Sequence, residues 1–254
     1  IKIRGELKML EEHELYLRQI RLHEDAEEKR AGYPFTIPLF KHFQALTLHR
    51  PVTFITGDNG TGKSTLIEAI AVGMGFNPEG GTRNFQFATR ETHSSLYEAL
   101  TLVKSVRHCR DGFFFRAESF YNVASEIENI AAEDSRMLNS YGGVSLHKMS
   151  HGESYLTLLR SRLFGRGFYI FDEPESALSP TGQFAMLAIM NDLIREDSQL
   201  VIATHSPILL ACPHAEILEI QDDELAAVSY DQSQTVNLYR RFLNNPNMIR
   251  QILE

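Results

Sequence analysis

The chain has 254 residues, 43% of them hydrophobic, and a formal net charge of −8. That supports one large domain, or one core with an inserted lobe, and the acidic balance excludes a general polyanion binder while leaving room for a local basic patch. No apolar run approaches the roughly 18 residues that span a bilayer, no leader is visible, and Cys109 and Cys212 stand far apart in no metal-like spacing, so a soluble, cytoplasmic protein with free thiols is expected.

Taken in chain order, Tyr16 to Leu22 alternates apolar and charged residues, the pattern of a half-buried strand. Glu24 to Arg30 reads as a solvated loop or turn of helix, and Pro34 and Pro38 break up the stretch after it. Val52-Thr53-Phe54-Ile55-Thr56 is a buried β-type run leading into a glycine loop, and Thr65 to Met74 is helical, with Leu66, Ile67, Ile70 and Ala71 on one face. Phe85 to Phe87 suggests a short strand, Ser95 to Val106 a helix, and Gly112 to Arg116 a strand. Residues 119–138 read as helical, Gly142-Gly143 as a turn, and Ser154 to Leu163 as a helix. Phe168 to Phe171 and Leu200 to Ala203 are continuous apolar strands separated by a helix over Phe184 to Ile194, and short strands with a final helix follow from about residue 215. Strands alternating with helices, several apolar on both faces, predict an α/β fold with a mostly parallel sheet flanked by helices.

The glycine loop carries the first chemistry. Gly57-Asp58-Asn59-Gly60-Thr61-Gly62-Lys63-Ser64 is a P-loop placed after a predicted strand and before a predicted helix, the context the motif requires. Its glycines let backbone N–H groups turn inward around phosphates, and the helix N-terminus adds its positive dipole end. Lys63 is placed to reach the β- and γ-phosphates of ATP, Ser64 to ligate Mg²⁺, and Thr65 to touch the α-phosphate.

The second chemistry is a pair of acids, Asp172-Glu173, ending the apolar strand Phe168 to Phe171. A buried strand delivers its last residues to the carboxyl edge of the sheet, where open α/β folds bind ligands. There Asp172 suits Mg²⁺ and Glu173 suits a general base acting on water. Two merely exposed acids at a strand end would be the bland alternative; the P-loop tips the balance.

Ser150-His151-Gly152-Glu153 resembles the signature motif of ABC-type ATPases, Ser176-Ala177-Leu178-Ser179 looks like their D-loop, and Ala203-Thr204-His205-Ser206 looks like their switch histidine. Phosphate loop, signature, acids, D-loop and histidine follow in that order over residues 52–206. The sequence also resembles bacterial stand-alone "predicted ATPases" of the AAA-like, RecF/SMC-related branch, in Asn84 to Arg90, Arg116 to Phe120, Ser150 to Ser154, Asp172 to Pro180 and Thr204 to Pro207. The resemblance implies an antiparallel β subdomain with the P-loop core over about residues 14–118, a helical lobe over 119–150, the rest of the core over 151–220 and a C-terminal strand and helix over 221–254, all one ABC-type domain spanning 1–254. It also implies a homodimer formed on ATP binding, in which Ser150 and the Gly152 backbone meet the γ-phosphate held by the other subunit, and His205 senses it.

Some positions depart from the pattern. Met149, His151 and Glu153 replace the usual leucine, glycine and glutamine of the signature, and the D-loop ends in Ser179 where the family has aspartate. For the glutamine of the Q-loop, an additional metal-side position, Glu118 is the first positional candidate and Gln86 the second. Tyr33 and Phe35 are candidates to stack on adenine, with core packing the competing role. His93 reads as a cap or loop residue, and the clusters Arg160/Arg162/Arg166 and Arg107/His108/Arg110 as solvated faces. The segment between Lys63 and Ser150 excludes long coiled-coil arms. Three functions remain open at this point: a stand-alone switch whose dimerisation controls a protein partner in DNA maintenance or phage defence, with nucleic acid left open as a partner; the nucleotide-binding subunit of a membrane transporter; and a non-catalytic ATP-binding scaffold. Glu173 and His205 count against the last.

Overall fold

Apolar runs of five or six residues, too short for core helices and apolar on both sides, build the central sheet of the molecule. The structure, a computed structural model, describes residues 9–23, 32–82, 94–117 and 151–253. In chain order these residues form β1 (Leu17–Leu22), α1 (Pro38–His42), β2 (Ala45–Thr47), β3 (Val52–Thr56), α2 (Lys63–Gly73), β4 (Leu100–Lys104), β5 (Asp111–Arg116), α3 (His151–Arg162), β6 (Gly167–Asp172), α4 (Pro180–Arg195), β7 (Gln199–Ala203), α5 (Pro207–Leu210), β8 (Glu216–Gln221), β9 (Glu224–Val228), α6 (Gln234–Asn244) and α7 (Met248–Leu253).

Six strands make one sheet in the order β5-β6-β7-β3-β8-β9. All pair in parallel except β9, which returns antiparallel to β8. That return is a tight hairpin through Asp222 and Asp223, both at positive φ (47° and 67°), as the twist of a two-residue hairpin loop demands. Alternation along β6 sorts its side chains onto two cores. Phe168 and Ile170 join Leu66, Ile67 and Ile70 of α2 on one face. Tyr169 and Phe171 join Tyr155 and Leu158 of α3 and Met186 and Met190 of α4 on the other. The central strands β3, β6 and β7 are therefore covered on both sides and buried along their whole length.

A second, antiparallel sheet has the order β2-β1-β4. The half-buried strand read from Tyr16 to Leu22 is β1, with Leu17 and Ile20 buried. The helix read over Ser95 to Val106 is not formed. Ser94 caps only a 3₁₀ turn, Ser95–Ala99, and the chain then pairs with β1 as β4. The run Leu100-Thr101-Leu102-Val103 finds ladder partners from Leu22 to Gln19, and tertiary pairing outweighs a weak local helical bias. The predicted strand at 85–87, helix at 119–138 and turn at 142–143, and with them the expected helical lobe, lie outside the described residues.

The two sheets are joined by one fully buried side chain. Leu17 N–H donates to Gln199 Oε1 at 2.9 Å, and Gln199 Nε2 donates to Leu17 O at 2.8 Å. A carboxamide thus continues the β-ladder between β1 and β7. The substitution Gln199→Leu leaves both backbone groups of Leu17 buried and unpaired. It is expected to lower unfolding free energy by about 2–6 kcal/mol, at about 1–3 per orphaned group; denaturant titration reads it as a fall in the midpoint.

Candidate functional site

The parallel register brings the carboxyl ends of β3, β6 and β7 level. Ile55 stands opposite Ala203, and Asp172 opposite Ala203 on the other side. The three segments attached to these ends, the P-loop, the acid turn and the histidine segment, therefore converge on one edge of the sheet.

After β3 the loop turns through Gly57 (φ 144°) and Gly62 (φ 106°). A Cβ on Gly57 would lie 3.0 Å from Ile220 Cβ, and one on Gly62 3.0 Å from Ile37 Cγ2 and 3.1 Å from a Phe40 ring carbon. Both positions need glycine for backbone conformation and for space. Asp58, Asn59 and Gly60 are exposed at the rim, and Thr61 Oγ1 donates to Asp58 O at 2.8 Å. Lys63 is buried, and its Nζ donates to the carbonyls of Gly57 (2.9 Å) and Asp58 (2.8 Å). Burial pulls its pKa down, against the opposing charges of Glu173 and Asp172. Ser64 and Thr65 follow, half-buried, in the first turn of α2.

Ser64 Oγ donates to Asp172 Oδ1 at 3.0 Å, across from α2 to the end of β6. Among the described residues no group of three or more His, Cys, Asp and Glu forms a metal cage. The Ser64–Asp172 pair offers two oxygens, a sparse set that suits Mg²⁺, which keeps waters and substrate phosphates as its other ligands. Arg116, not singled out by the sequence reasoning, completes this corner. It faces Asp172 in register, its Nε is 3.5 Å from Asp172 Oδ2, and its guanidinium donates to Glu68 Oε2 of α2 at 2.7 Å.

Glu173 adopts a left-handed conformation, φ 49° and ψ 54°, which an acid takes only where its surroundings enforce it. Its N–H donates to Ala203 O at 3.0 Å, and its side chain, 40% exposed, comes within 3.7 Å of His205 Nε2. That nitrogen is buried without a hydrogen-bond partner. Burial, then the nearby Lys63 charge, push the His205 pKa below its usual value of 6.5. Glu175, also missed, accepts the His205 backbone N–H. Burial pushes its carboxyl above the usual range, against hydrogen bonds from His205 N–H and the Thr204 side chain.

A cavity of about 840 Å³ opens beside these groups, lined by Gly57, Asp58, Asn59, Glu173, Glu175 and His205 and, opposite, by Gln234, Leu238, Tyr239 and Arg241 of α6. The start of α6 is fixed by Glu219, buried in β8, which accepts from Ser233 Oγ, Gln234 N–H and Thr235 N–H. Burial pushes this carboxyl up, but these bonds and one from Gln221 outweigh it and hold its pKa below the usual range. Nothing in the local sequence of α6 announces a wall of the site, because the contact depends on how β8 delivers it.

Ser150, Glu118, Gln86 and His93 lie outside the described residues. Gly152 sits in the first turn of α3, where a Cβ would lie 3.2 Å from Ala177 O, so its bare Cα packs against the turn Pro174–Ala177. Ser179 caps α4 by accepting from Gly182 N–H at 3.1 Å. Phe35 is in the core, whereas Tyr33 is 65% exposed. Two arginines read as solvated are structural: Arg107 bridges Glu14 and Asp197, and Arg162 pairs with Asp111 at 2.8 Å. Cys109 and Cys212 are free thiols.

Residues 36–136 match the family described as "AAA domain", and residues 126–211 match "AAA domain, putative AbiEii toxin, Type IV TA system". The energy-coupling factor transporter ATP-binding protein EcfA1 of Fusobacterium nucleatum is 28% identical over 165 residues, 60% of this chain and 62% of that protein. The macrolide export ATP-binding/permease protein MacB of Hahella chejuensis is 26% identical over 198 residues, 68% of this chain and 28% of that protein. The chain thus spans less than two thirds of the length of either. Among solved structures, the SMC head domain from Thermotoga maritima aligns at a TM-score of 0.44 and 15% identity, covering 85% of this chain and 99% of that one. The chain is similar to AAA- and ABC-type ATP-binding proteins through its core.

The His205 environment makes a pH prediction. A histidine whose folded pKa is depressed favours the native state when neutral, so its stabilisation is complete above the unfolded value of 6.5 and is lost as pH falls below it. Without nucleotide, the His205 ring should titrate below 6.5, and Mg-ATP should raise that midpoint as phosphate charge favours the imidazolium. Ring-proton NMR checks both; a midpoint above 6.5 in the free protein contradicts the depressed pKa that burial and Lys63 impose.

Proposed function

We propose that this chain binds and hydrolyses ATP as an ABC-type ATPase, and that ATP-dependent homodimerisation makes it a switch for a protein partner in DNA maintenance or phage defence. The observation that carries the reading is the convergence of Glu173 and His205 with the P-loop on one cavity, with His205 Nε2 buried and unpartnered on its wall. A buried donor without an acceptor fits a γ-phosphate oxygen that completes the site.

ATP gives Lys63 Nζ anionic oxygens in place of the Gly57 and Asp58 carbonyls it now holds. The N–H groups from Gly57 to Ser64 cradle the phosphates, with Thr65 toward the α-phosphate. Ser64 and Asp172 would hold Mg²⁺, with Glu118 as a further ligand, and the ion would supply positive charge to the phosphate oxygens. Glu173 takes a proton from a water whose oxygen bonds the γ-phosphorus, while the bond from that phosphorus to the bridging oxygen of ADP breaks. ADP and phosphate leave. His205, in its Nε2–H tautomer, donates to a γ-phosphate oxygen and reports its presence. In the dimer, Ser150 and the Gly152 backbone of one copy face the γ-phosphate held by the other, so that donors surround the transferred group.

The transporter reading retains one supporting observation: EcfA1 and MacB are transport proteins by name. In that case the chain serves as a nucleotide-binding subunit on the cytoplasmic side of a membrane partner. No helix among the described residues is long and apolar enough to cross a membrane. The match whose description names a toxin of a Type IV TA system supports a role outside transport. Recovery of an integral membrane protein in stable complex with the chain would decide for the transporter.

Glu173→Gln removes the base but keeps the side chain's shape. It should slow phosphate release in a steady-state assay by about 10²–10⁴-fold and trap an ATP-bound dimer visible by light scattering. Turnover close to the native rate overturns the assignment of the base. Ser150→Arg should abolish ATP-dependent dimers while fluorescent-nucleotide binding to the monomer persists; dimers that still form with ATP refute the role in trans.

A further inference from the structure

We propose that Glu175 is a positioning residue for hydrolysis: its carboxylate holds the backbone of His205, and so fixes the imidazole against the γ-phosphate. The proposal rests on the ATPase reading above.

Glu175 lies in the 3₁₀ turn Pro174–Ala177, where an acid ordinarily points into water. Here its Oε1 accepts the backbone N–H of His205, thirty positions along the chain, and the side chain lines the same cavity as Glu173 and His205. The histidine segment shows why this bond matters. β7 ends at Ala203 and α5 begins at Pro207, so Thr204, His205 and Ser206 form a short non-repetitive link. Thr204 N–H donates to Ile55 O at 3.1 Å, and Ser206 N–H to Thr204 Oγ1 at 3.0 Å. Glu175 supplies the acceptor for the amide between them. Its carboxyl oxygen takes the place a backbone carbonyl would fill, and an amide of this kind left unpaired is costly.

The same segment is held upstream by the acid turn and downstream by α4. Upstream, Glu173 N–H donates to Ala203 O at 3.0 Å. Downstream, Gln183 of α4 accepts from Ser206 Oγ and donates through Nε2 to Leu178 O at 3.3 Å. Glu175 is the middle bond of three. The base Glu173 and the sensor His205 therefore sit on one hydrogen-bonded body, and a push on residues 176–179 reaches the histidine without passing through the nucleotide. Ser179 is occupied as the cap of α4, so Glu175 and Gln183 provide the connection between this loop and the site.

The test compares Glu175→Met, which keeps length but removes the acceptor, with Glu175→Gln, whose carbonyl oxygen can still accept. For Glu175→Met, kcat should fall by about 10–10²-fold, the scale for a displaced group at a reacting centre, with KM for ATP within about twofold, since binding through the P-loop is untouched. Glu175→Gln should recover most of that loss. Backbone NMR gives a readout that needs no turnover: the His205 amide proton, downfield in the native protein, should move upfield in Glu175→Met and stay downfield in Glu175→Gln. A kcat for Glu175→Met at the native level, or equal losses in both variants, overturns the proposal. Should Glu175→Met not fold, the Gln variant decides by the same amide: a retained downfield position supports the proposal and a collapse overturns it. Absence of ATP turnover in the native protein would sink the hydrolysis reading separately, and an unmoved His205 amide in Glu175→Met would then remove the Glu175 assignment as well.

Discussion

The site depends on the hydrogen-bonded register of three parallel strands. With Ala203 opposite both Ile55 and Asp172, the ends of β3, β6 and β7 finish at one level. Three segments of the candidate site are attached to those ends: the P-loop after Thr56, the acid turn after Asp172, and His205 after Ala203. A slip of one residue in β6 would turn Asp172 to the other face of the sheet and break its 3.0 Å contact with Ser64. The register is held by the two apolar cores, because each face of β6 is filled by a different set of helices. Burial of Phe168 to Phe171 on both sides is thus what aims a carboxylate at a P-loop serine.

Electrostatics then divides the site. One side is anionic, with Asp172 and Glu173 at the end of β6, and Arg116 braces it from β5 through Glu68. The other holds the buried Lys63, folded onto the carbonyls of its own loop. Between them, burial and then the lysine's charge push the His205 pKa below its usual value. Under the proposed function a triphosphate would resolve this arrangement, since its oxygens could accept from Lys63 and from the imidazole together. The acid turn and the histidine segment, tied by the bonds from Glu173, Glu175 and Gln183, form the fixed frame within which that change takes place.

The strands and the P-loop were legible because their causes are local. Glycine at 57 and 62 answers to backbone conformation, and a four-residue apolar run ending in two acids is readable without any neighbour. The stretch from Ser95 to Val106 misled because its helical composition is weaker than the ladder that β1 offers it. Arg116, Glu175 and Glu219 escaped notice for a different reason. Each owes its role to a residue far along the chain, and no spacing in the sequence encodes that reach. Arg162 and Arg107 were misread as solvated by the same logic, their acidic partners Asp111, Glu14 and Asp197 being distant in sequence. The cavity wall from α6 likewise exists only once β8 has delivered Glu219 to cap that helix.

The central claim is that hydrolysis waits for a second copy of the chain. The most direct measurement is ATPase activity per molecule at saturating Mg-ATP across a wide range of protein concentration. If two copies complete the site, activity per molecule rises with concentration and levels off where the ATP-bound dimer saturates. Activity per molecule that stays constant down to concentrations at which the protein is monomeric with ATP bound would contradict it.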